Sequence, residues 1–338
     1  MTLTAKDQKK KLRFIVVGCG YFGLKRIDAL QSLAGNVHLT GVVDADIQKA
    51  KTIAAKLKIP YATSITALLR HSKADAAIIS TSNNTHARLT VEALSDSLHV
   101  LCEKPLASDT AMADKIVQAT KKYKRIVKTG SNHRFFPTVK KTHELFTQGA
   151  IGKLLHFRGS IGNNGSHTQN SWFWNKNISG GGTFIDNGCH LLDLARMFMG
   201  DFVSCVGHTT SVYWKKTRVE DVGTGIFITA DQRQATISSS WIQWRGYIYF
   251  ELWGDKGYII VDSREGDRVI WGKRDGTKPR TFDLTKIPKT SYQDEIAYFI
   301  DCIQKGRQPI PSAQDGQKVI QMIEAVYSSA KKKKWVSL

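Results

Sequence analysis

Along the first third of the chain, short apolar runs alternate with longer stretches in which apolar positions recur at helical spacing. Residues 12–17, 37–43, 76–79, 99–102 and 126–128 are brief, rich in Val and Ile, and read as strands. Residues 22–32, 47–57, 87–94 and 111–122 read as amphipathic helices. Such alternation predicts a parallel sheet wrapped by crossover helices. The rhythm changes near Phe135 and Pro137. After one further helix, 138–148, the segments 154–160, 206–214, 223–230, 234–241, 248–253 and 258–261 read as longer strands. Several are joined by short turn-forming segments, which favours antiparallel pairing. One helix, 183–198, is inserted among them, and the chain closes on helical patterns at 292–304 and 313–330. The expected fold class is α/β, with a doubly wound parallel sheet in residues 1–134 and a second, α+β domain with a mostly antiparallel sheet in 135–338.

Composition supports this division. The 338 residues exceed the ~250–300 at which single cores stop growing. A hydrophobic share of 41% against 23% charged residues suits a packed core rather than disorder. The longest apolar runs, 14–17 and 76–79, are far short of the ~20 residues that span a bilayer. The N-terminus carries Lys6, Lys9, Lys10, Lys11 and Arg13 with no apolar stretch after them, unlike a secretory signal. Cys19, Cys102, Cys189, Cys205 and Cys302 are scattered and form no CxxC pair, as expected for reduced thiols in the cytoplasm.

Forty-nine Lys and Arg against 29 Asp and Glu give a net charge of +20, which raises the question of a polyanionic partner. The basic residues are dispersed, with small clusters at 9–11, 121–125, 140–141 and 331–334. No helix-turn-helix, RNP-type aromatic signature or Cys/His finger accompanies them. A solvated basic surface is the simpler reading, so neither nucleic acid nor membrane is an expected partner. An anionic substrate, such as a phosphorylated or nucleotide sugar, is compatible with the charge.

Gly18-Cys-Gly20-Tyr-Phe-Gly23 follows the first strand and opens the first helix. Gly18 would allow the tight turn, Gly20 the approach of a pyrophosphate, and Gly23 close packing of helix on strand. The helix start then suits an anion. Val42-Val43-Asp44 ends the next strand, and a carboxylate there accepts hydrogen bonds from ribose hydroxyls while repelling a 2′-phosphate. Asp46 adds negative charge and no arginine sits beside it, which favours NAD over NADP. The plainer alternative is a glycine-rich turn in an unrelated α/β fold.

Two further segments carry chemistry. Glu103-Lys104-Pro105 follows a parallel strand, where side chains face the ligand crevice. Lys104 would hydrogen-bond an oxygen developing negative charge, or is simply a solvated lysine at a strand end. The run 180–193 begins with Gly180, Gly181 and Gly182, which allow close approach to a ligand. Asp186 and His190 then stand four apart, on one face of a regular helix. Histidine suits proton transfer at neutral pH, and a neighbouring carboxylate would raise its pKa or hold a substrate hydroxyl. The competing readings are a metal site of Asp186, His190 and Asp193, and an ordinary helix with a satisfied histidine.

In this order the segments resemble the Gfo/Idh/MocA oxidoreductase family, which includes glucose–fructose oxidoreductase and inositol dehydrogenases. The resemblance runs through 18–23, Asp44, Thr81-Ser82-Asn83-Asn84-Thr85-His86, Glu103-Lys104-Pro105, Asn132-His133-Arg134-Phe135 and 180–193. It implies a Rossmann domain followed by an open-faced sheet domain that makes homodimer or homotetramer contacts, with the last helix returning to the first domain. It implies Lys104, Asp186 and His190 as the catalytic trio. Asn83, His86 and Glu103 would line the nicotinamide side of the cofactor pocket, with Tyr21, Phe22 and Thr81 beside them. The family often has proline at Ser82 and glycine at Ser97, departures that concern loop stiffness.

The implied activity is NAD-dependent, reversible oxidation of a secondary hydroxyl of a sugar, inositol or sugar derivative. His133, Arg134, Asn163, Trp172 and Trp174 are candidate substrate contacts. The tryptophans would stack on a sugar's apolar face or fill the core. A non-catalytic NAD or sugar sensor, and an enzyme using transient oxidation to cleave a glycoside, remain as alternatives.

Overall fold

The computed structural model describes residues 11–35 and 37–338. The N-terminal stretch with Lys6, Lys9 and Lys10, read above as unlike a leader, lies outside the described residues. Six short strands build the first sheet: β1 (Leu12–Val17), β2 (Val37–Val43), β3 (Tyr61–Ala62), β4 (Ala76–Ile79), β5 (His99–Cys102) and β6 (Val127–Thr129). They lie parallel in the order β3-β2-β1-β4-β5-β6. Their side chains are apolar on both faces because helices cover both: α1 (Tyr21–Ser32), α2 (Ile47–Leu57), α3 (Ile65–Leu69), α4 (Asn83–Ser95) and α5 (Thr110–Tyr123). Ile15, Val17 and Ile79 pack with Leu94 and Ile116 on one side; Phe14, Val16 and Ile78 pack with Ile27 and Leu30 on the other. Strand order reverses between β1 and β4, and the carboxyl ends of these strands open the crevice in which doubly wound sheets bind ligands.

Helix α4 begins at Asn83, four residues before the apolar pattern starts. Its first turn is held by polar contacts that periodicity does not register. The Asn83 amide donates to Ser179 O at 2.7 Å, and His86 is wedged between carbonyl oxygens.

A 3₁₀ turn (Asn132–Phe135) leads from β6 into α6 (Pro137–Thr147) and the first strand of a second sheet, β7 (Leu154–Gly162). Short α7 (Lys176–Ser179) and a π-helical turn (Phe184–Gly188) precede α8 (Cys189–Met199). The sheet continues with β8 (Phe202–Thr210), β9 (Val222–Thr229), β10 (Gln234–Ser240), β11 (Tyr247–Gly254), β12 (Gly257–Asp262), β13 (Arg268–Lys273), β14 (Arg280–Asp283) and the terminal β15 (Val336–Ser337). Its order is β14-β13-β12-β11-β7-β10-β9-β8-β15, antiparallel except for β7 with β10. Burial alternates along β9, β10 and β12, so one face meets the helices and the other is half-open.

β8 lies four residues earlier than the sequence pattern suggests. The backbone N–H groups of Val212, Tyr213 and Trp214 all donate to the buried Asp221 carboxylate, which turns the chain out of the sheet. Two closing helices, α9 (Ser291–Lys305) and α10 (Ala313–Lys332), return to the first sheet's layer. α9 packs on α1, and α10 bridges α5 and β8. A capping box of Ser312 and Asp315 starts α10.

Candidate active site

The glycine turn is built as its sequence suggests. Gly18 takes a positive φ of +97°, and a side chain there would strike the Ser80 carbonyl. A Cβ on Gly23 would collide with the Gly18 carbonyl, so α1 docks directly on the turn. Gly20 differs, since a Cβ there meets nothing within 4 Å. The protein therefore leaves open space over the start of α1, where an anion would be favoured. Asp44 stands beside it. Its two carboxylate oxygens accept from Cys19 N at 2.7 Å and Asp46 N at 2.9 Å, which fixes the carboxylate and leaves lone pairs for hydroxyl donors. Asp46 caps α2 instead of facing the turn, accepting from Gln48 N and Lys49 N.

Phe22, Thr81, Asn83, Glu103, Lys104, Trp172 and Asp186 line one recess beside this turn. Tyr21 does not line it; it packs edge-on against Phe22 and is 70% exposed. His86 is sealed below the surface. Its ring nitrogens face Pro105 O at 2.8 Å and Thr81 O at 3.1 Å, so it clamps the loop after β5 to the loop after β4. Glu103 is held from behind by an ion-pair network. Its carboxylate accepts from Arg26 of α1 at 2.6 Å; Arg26 also pairs with Glu295 of α9 at 2.7 Å, and Glu295 with Lys128 of β6 at 2.6 Å. Side chains from α1, α9 and β6 thus brace the strand end that carries Lys104.

Lys104 Nζ donates to both Asp186 O and Asp186 Oδ1, each at 2.9 Å. Two of its three N–H groups are thereby committed and one remains for a ligand oxygen. Burial alone would depress the ammonium's pKa, but the Asp186 carboxylate, together with Cys189 and Glu103, outweighs it and holds the value above the ordinary lysine range. The other Asp186 oxygen, Oδ2, accepts from the indole of Trp241 at 3.3 Å.

Asp186 does not act on His190 as the four-residue spacing suggests. The π-helical turn adds a residue to the winding between them, and the two line different recesses, with Lys104 contributing to both. Nor is the His190 pKa raised by a carboxylate. Burial, then His133, then Lys104 push it well below 6.5. His133 stacks on His190 with ring centroids 3.6 Å apart and planes 7° apart. Its own pKa is pushed down to about 3 by burial and Lys104, and its Nδ1 is buried without a hydrogen-bond partner.

Other candidates fall in different places. Arg134 closes its fork on Asp193 with two 2.7 Å hydrogen bonds, so both tie the 3₁₀ turn to α8 and neither offers a free charge. Asn163 caps the exit of β7, accepting from Gly165 N at 2.9 Å. Trp172 lines the recess with Lys104, whereas Trp174 donates to Thr168 Oγ1 at 3.0 Å and packs on Trp214. The space beside Gly181 and Gly182 is filled by Tyr327 and Glu220 of the same chain. The Glu220 carboxylate accepts from Gly182 N, Phe184 N and Tyr327 Oη at 2.9, 3.0 and 2.8 Å. Sequence reasoning missed Trp241, Glu220, Arg26 and Glu295. Only the burial of charge in helix patterns around Arg26 and Glu295 offered a signal.

The family comparison agrees with this architecture. A model for an oxidoreductase family with an NAD-binding Rossmann fold, GFO/IDH/MocA, matches residues 12–131, and one for the GFO/IDH/MocA C-terminal domain matches residues 139–260. The chain belongs to the GFO/IDH/MocA family of NAD-binding oxidoreductases. It is 28% identical to the myo-inositol 2-dehydrogenase of Thermotoga maritima, over 97% of this chain and 98% of that one. It is 27% identical to the inositol 2-dehydrogenase of Rhizobium meliloti, over 97% and 99%. In fold it matches a levoglucosan dehydrogenase solved with NADH and L-sorbose, with a TM-score of 0.88 at 21% identity over 97% of this chain and 98% of that one.

Proposed function

We propose that this chain is an NAD-dependent dehydrogenase that reversibly oxidises a secondary hydroxyl of a sugar, inositol or sugar derivative. The observation that carries this reading is the Lys104 ammonium, locked by Asp186 on the wall that joins the glycine-turn recess to the His190 recess. Gly18, Gly20, Gly23 and Asp44 would hold the dinucleotide, with Phe22, Thr81, Asn83 and Glu103 around its nicotinamide end. NAD, when bound, supplies the hydride acceptor. The remaining chemistry belongs to the protein. His190, neutral at pH 7, accepts the hydroxyl proton, while the free N–H of Lys104 donates to the same oxygen as it becomes a carbonyl. Asp186 and Trp241 hold Lys104 in place and take no proton themselves.

In this reading residues 1–134 serve the cofactor and 135–338 the substrate and subunit contacts. A homodimer or homotetramer joined through the open face of the second sheet is supported by half-exposed Ile226, Tyr258 and Ile260 and by Trp253 there. A cytoplasmic location is supported by five buried, unpaired thiols. No helix among the described residues is long and apolar enough to cross a membrane.

The test is an absorbance screen at 340 nm with NAD against inositols, aldoses and nucleotide sugars. NAD reduction by at least one polyol is expected. Retained NAD binding with no reduction by any of them would favour the sensor reading instead.

A further inference from the structure

The net charge of +20 is unevenly compensated across the molecule. The open recess of Arg245, Arg264 and Arg268 also holds Asp262 and Glu265, with Arg264 bound to Asp262 at 2.7 Å. A second open recess lies between the end of β8, the loop before β9, the start of α7 and the last turn of α10. Lys176, Arg218 and Lys331 line it from three separate elements. None of the three forms an ion pair or a side-chain hydrogen bond among the described residues. Glu220 is the one carboxylate among the described residues that line it, and its oxygens are turned inward. They accept from Gly182 N, Phe184 N and Tyr327 Oη at 2.9, 3.0 and 2.8 Å. Thr209 lies two residues beyond Gly207, which faces Val326 of α10, so its hydroxyl is on the same side of the strand. The loop carrying Arg218 is fixed before any ligand arrives. Ser211 Oγ and Thr217 Oγ1 both donate to Val219 O, at 2.6 and 2.7 Å, and three backbone N–H groups donate to Asp221.

We propose that this recess binds a small phosphate-bearing anion, at a site separate from the dinucleotide. It shares no lining residue with the recesses of Lys104 and His190. Its volume of about 420 Å³ lies within the ~300–1,000 Å³ of small-molecule sites. Three like charges gathered without a counter-charge repel one another, and a bound anion relieves that repulsion. Phosphate oxygens accept from a guanidinium and from ammonium groups at once, through charge-assisted hydrogen bonds. The helix dipole accounts for Lys331, which stands in the last turn of α10 where a cation is favoured. It accounts for neither Arg218, on a loop, nor Lys176, at the start of α7. A nucleic-acid strand would be followed by an extended groove with aromatic platforms. Here the cations converge on one concavity, which suits a small ligand.

Inorganic pyrophosphate is the probe, titrated calorimetrically into the NADH-saturated protein at about 0.15 M salt, where distant surface charges are screened. NADH keeps the probe out of the glycine turn. One pyrophosphate per chain is expected. Arg218→Glu and Lys331→Glu, on different elements, should each weaken binding by about tenfold or more. Lys273→Glu on β13 lowers the net charge equally and should change it by less than about twofold. An NADH affinity within about twofold of the native protein shows that each variant is folded. No binding at millimolar pyrophosphate overturns the inference. So does binding that survives Arg218→Glu and Lys331→Glu, or that falls equally in Lys273→Glu. A single-stranded oligonucleotide that binds more tightly than pyrophosphate, and loses affinity in the same two variants, overturns it in favour of a nucleic-acid surface. A sugar bisphosphate separates the two sources of phosphate: binding tighter than pyrophosphate sustains the inference with an ester as ligand, and weaker binding sustains it with a free polyphosphate.

Discussion

Lys104 and His190 reach opposite protonation states by different means. The lysine is buried beside a carboxylate and keeps its proton; the histidine is buried beside a second imidazole and an ammonium and sheds its own. The sign of the pH dependence follows. In the proposed mechanism the neutral form of His190 is the base, so kcat/KM for alcohol oxidation should hold as pH falls past 6.5 and drop only at the depressed value of the free enzyme. Lys104, held above the ordinary lysine value, causes no loss on the alkaline side below ~10.5. His133→Phe keeps a ring stacked on His190 and removes the second imidazole, so the acid limb should move upward. An acid limb already at or above 6.5 in the native protein, or one unmoved by the substitution, would contradict this account. Residue types were legible at this scale; their partners were not. Trp241 ends a strand pattern like any core tryptophan, and nothing in its neighbours points 55 positions back to Asp186.

Elements show where local pattern suffices and where it fails. The glycine turn was readable because each glycine answers a backbone demand close in sequence. It also separates structural from binding roles. Gly20 has φ −78° and ψ −168°, open to any residue, and its side-chain space is empty. Gly20→Ala should change stability by no more than ~0.5 kcal/mol yet weaken NAD binding about tenfold or more. Gly23→Ala should destabilise by ~1–3 kcal/mol through overpacking against Gly18. Urea unfolding and a fluorescence titration with NAD check both, and an unaltered affinity in Gly20→Ala would remove the turn from the cofactor site. The π-helical turn was not legible. A period of 3.6 put Asp186 and His190 on one face, and the extra residue in the winding follows from tertiary contacts of Glu220 and Trp241. Ser97 marks another limit, adopting φ +65°, a conformation glycine takes freely.

At the scale of the whole molecule, alternating strands and helices were enough to give the parallel sheet, because βα units are local. The second sheet was clear in type and blurred at its margins. β14 and β15 are short edge strands and β13 lies one in from the edge, and the brevity and polarity of this margin blur its pattern. The return of α9 and α10 to the first layer joins the two halves, and Glu295 of α9 reaches through Arg26 to the strand end bearing Lys104. The central claim is that this scaffold gathers an ammonium, a carboxylate and an imidazole into one working site. The most direct measurement is kcat for His190→Ala with NAD and the preferred polyol, taken alongside the NAD dissociation constant of the same variant. A fall of ~10²–10⁴ in kcat with the dissociation constant within about threefold is the expected result. Turnover within about twofold of the native protein would contradict it.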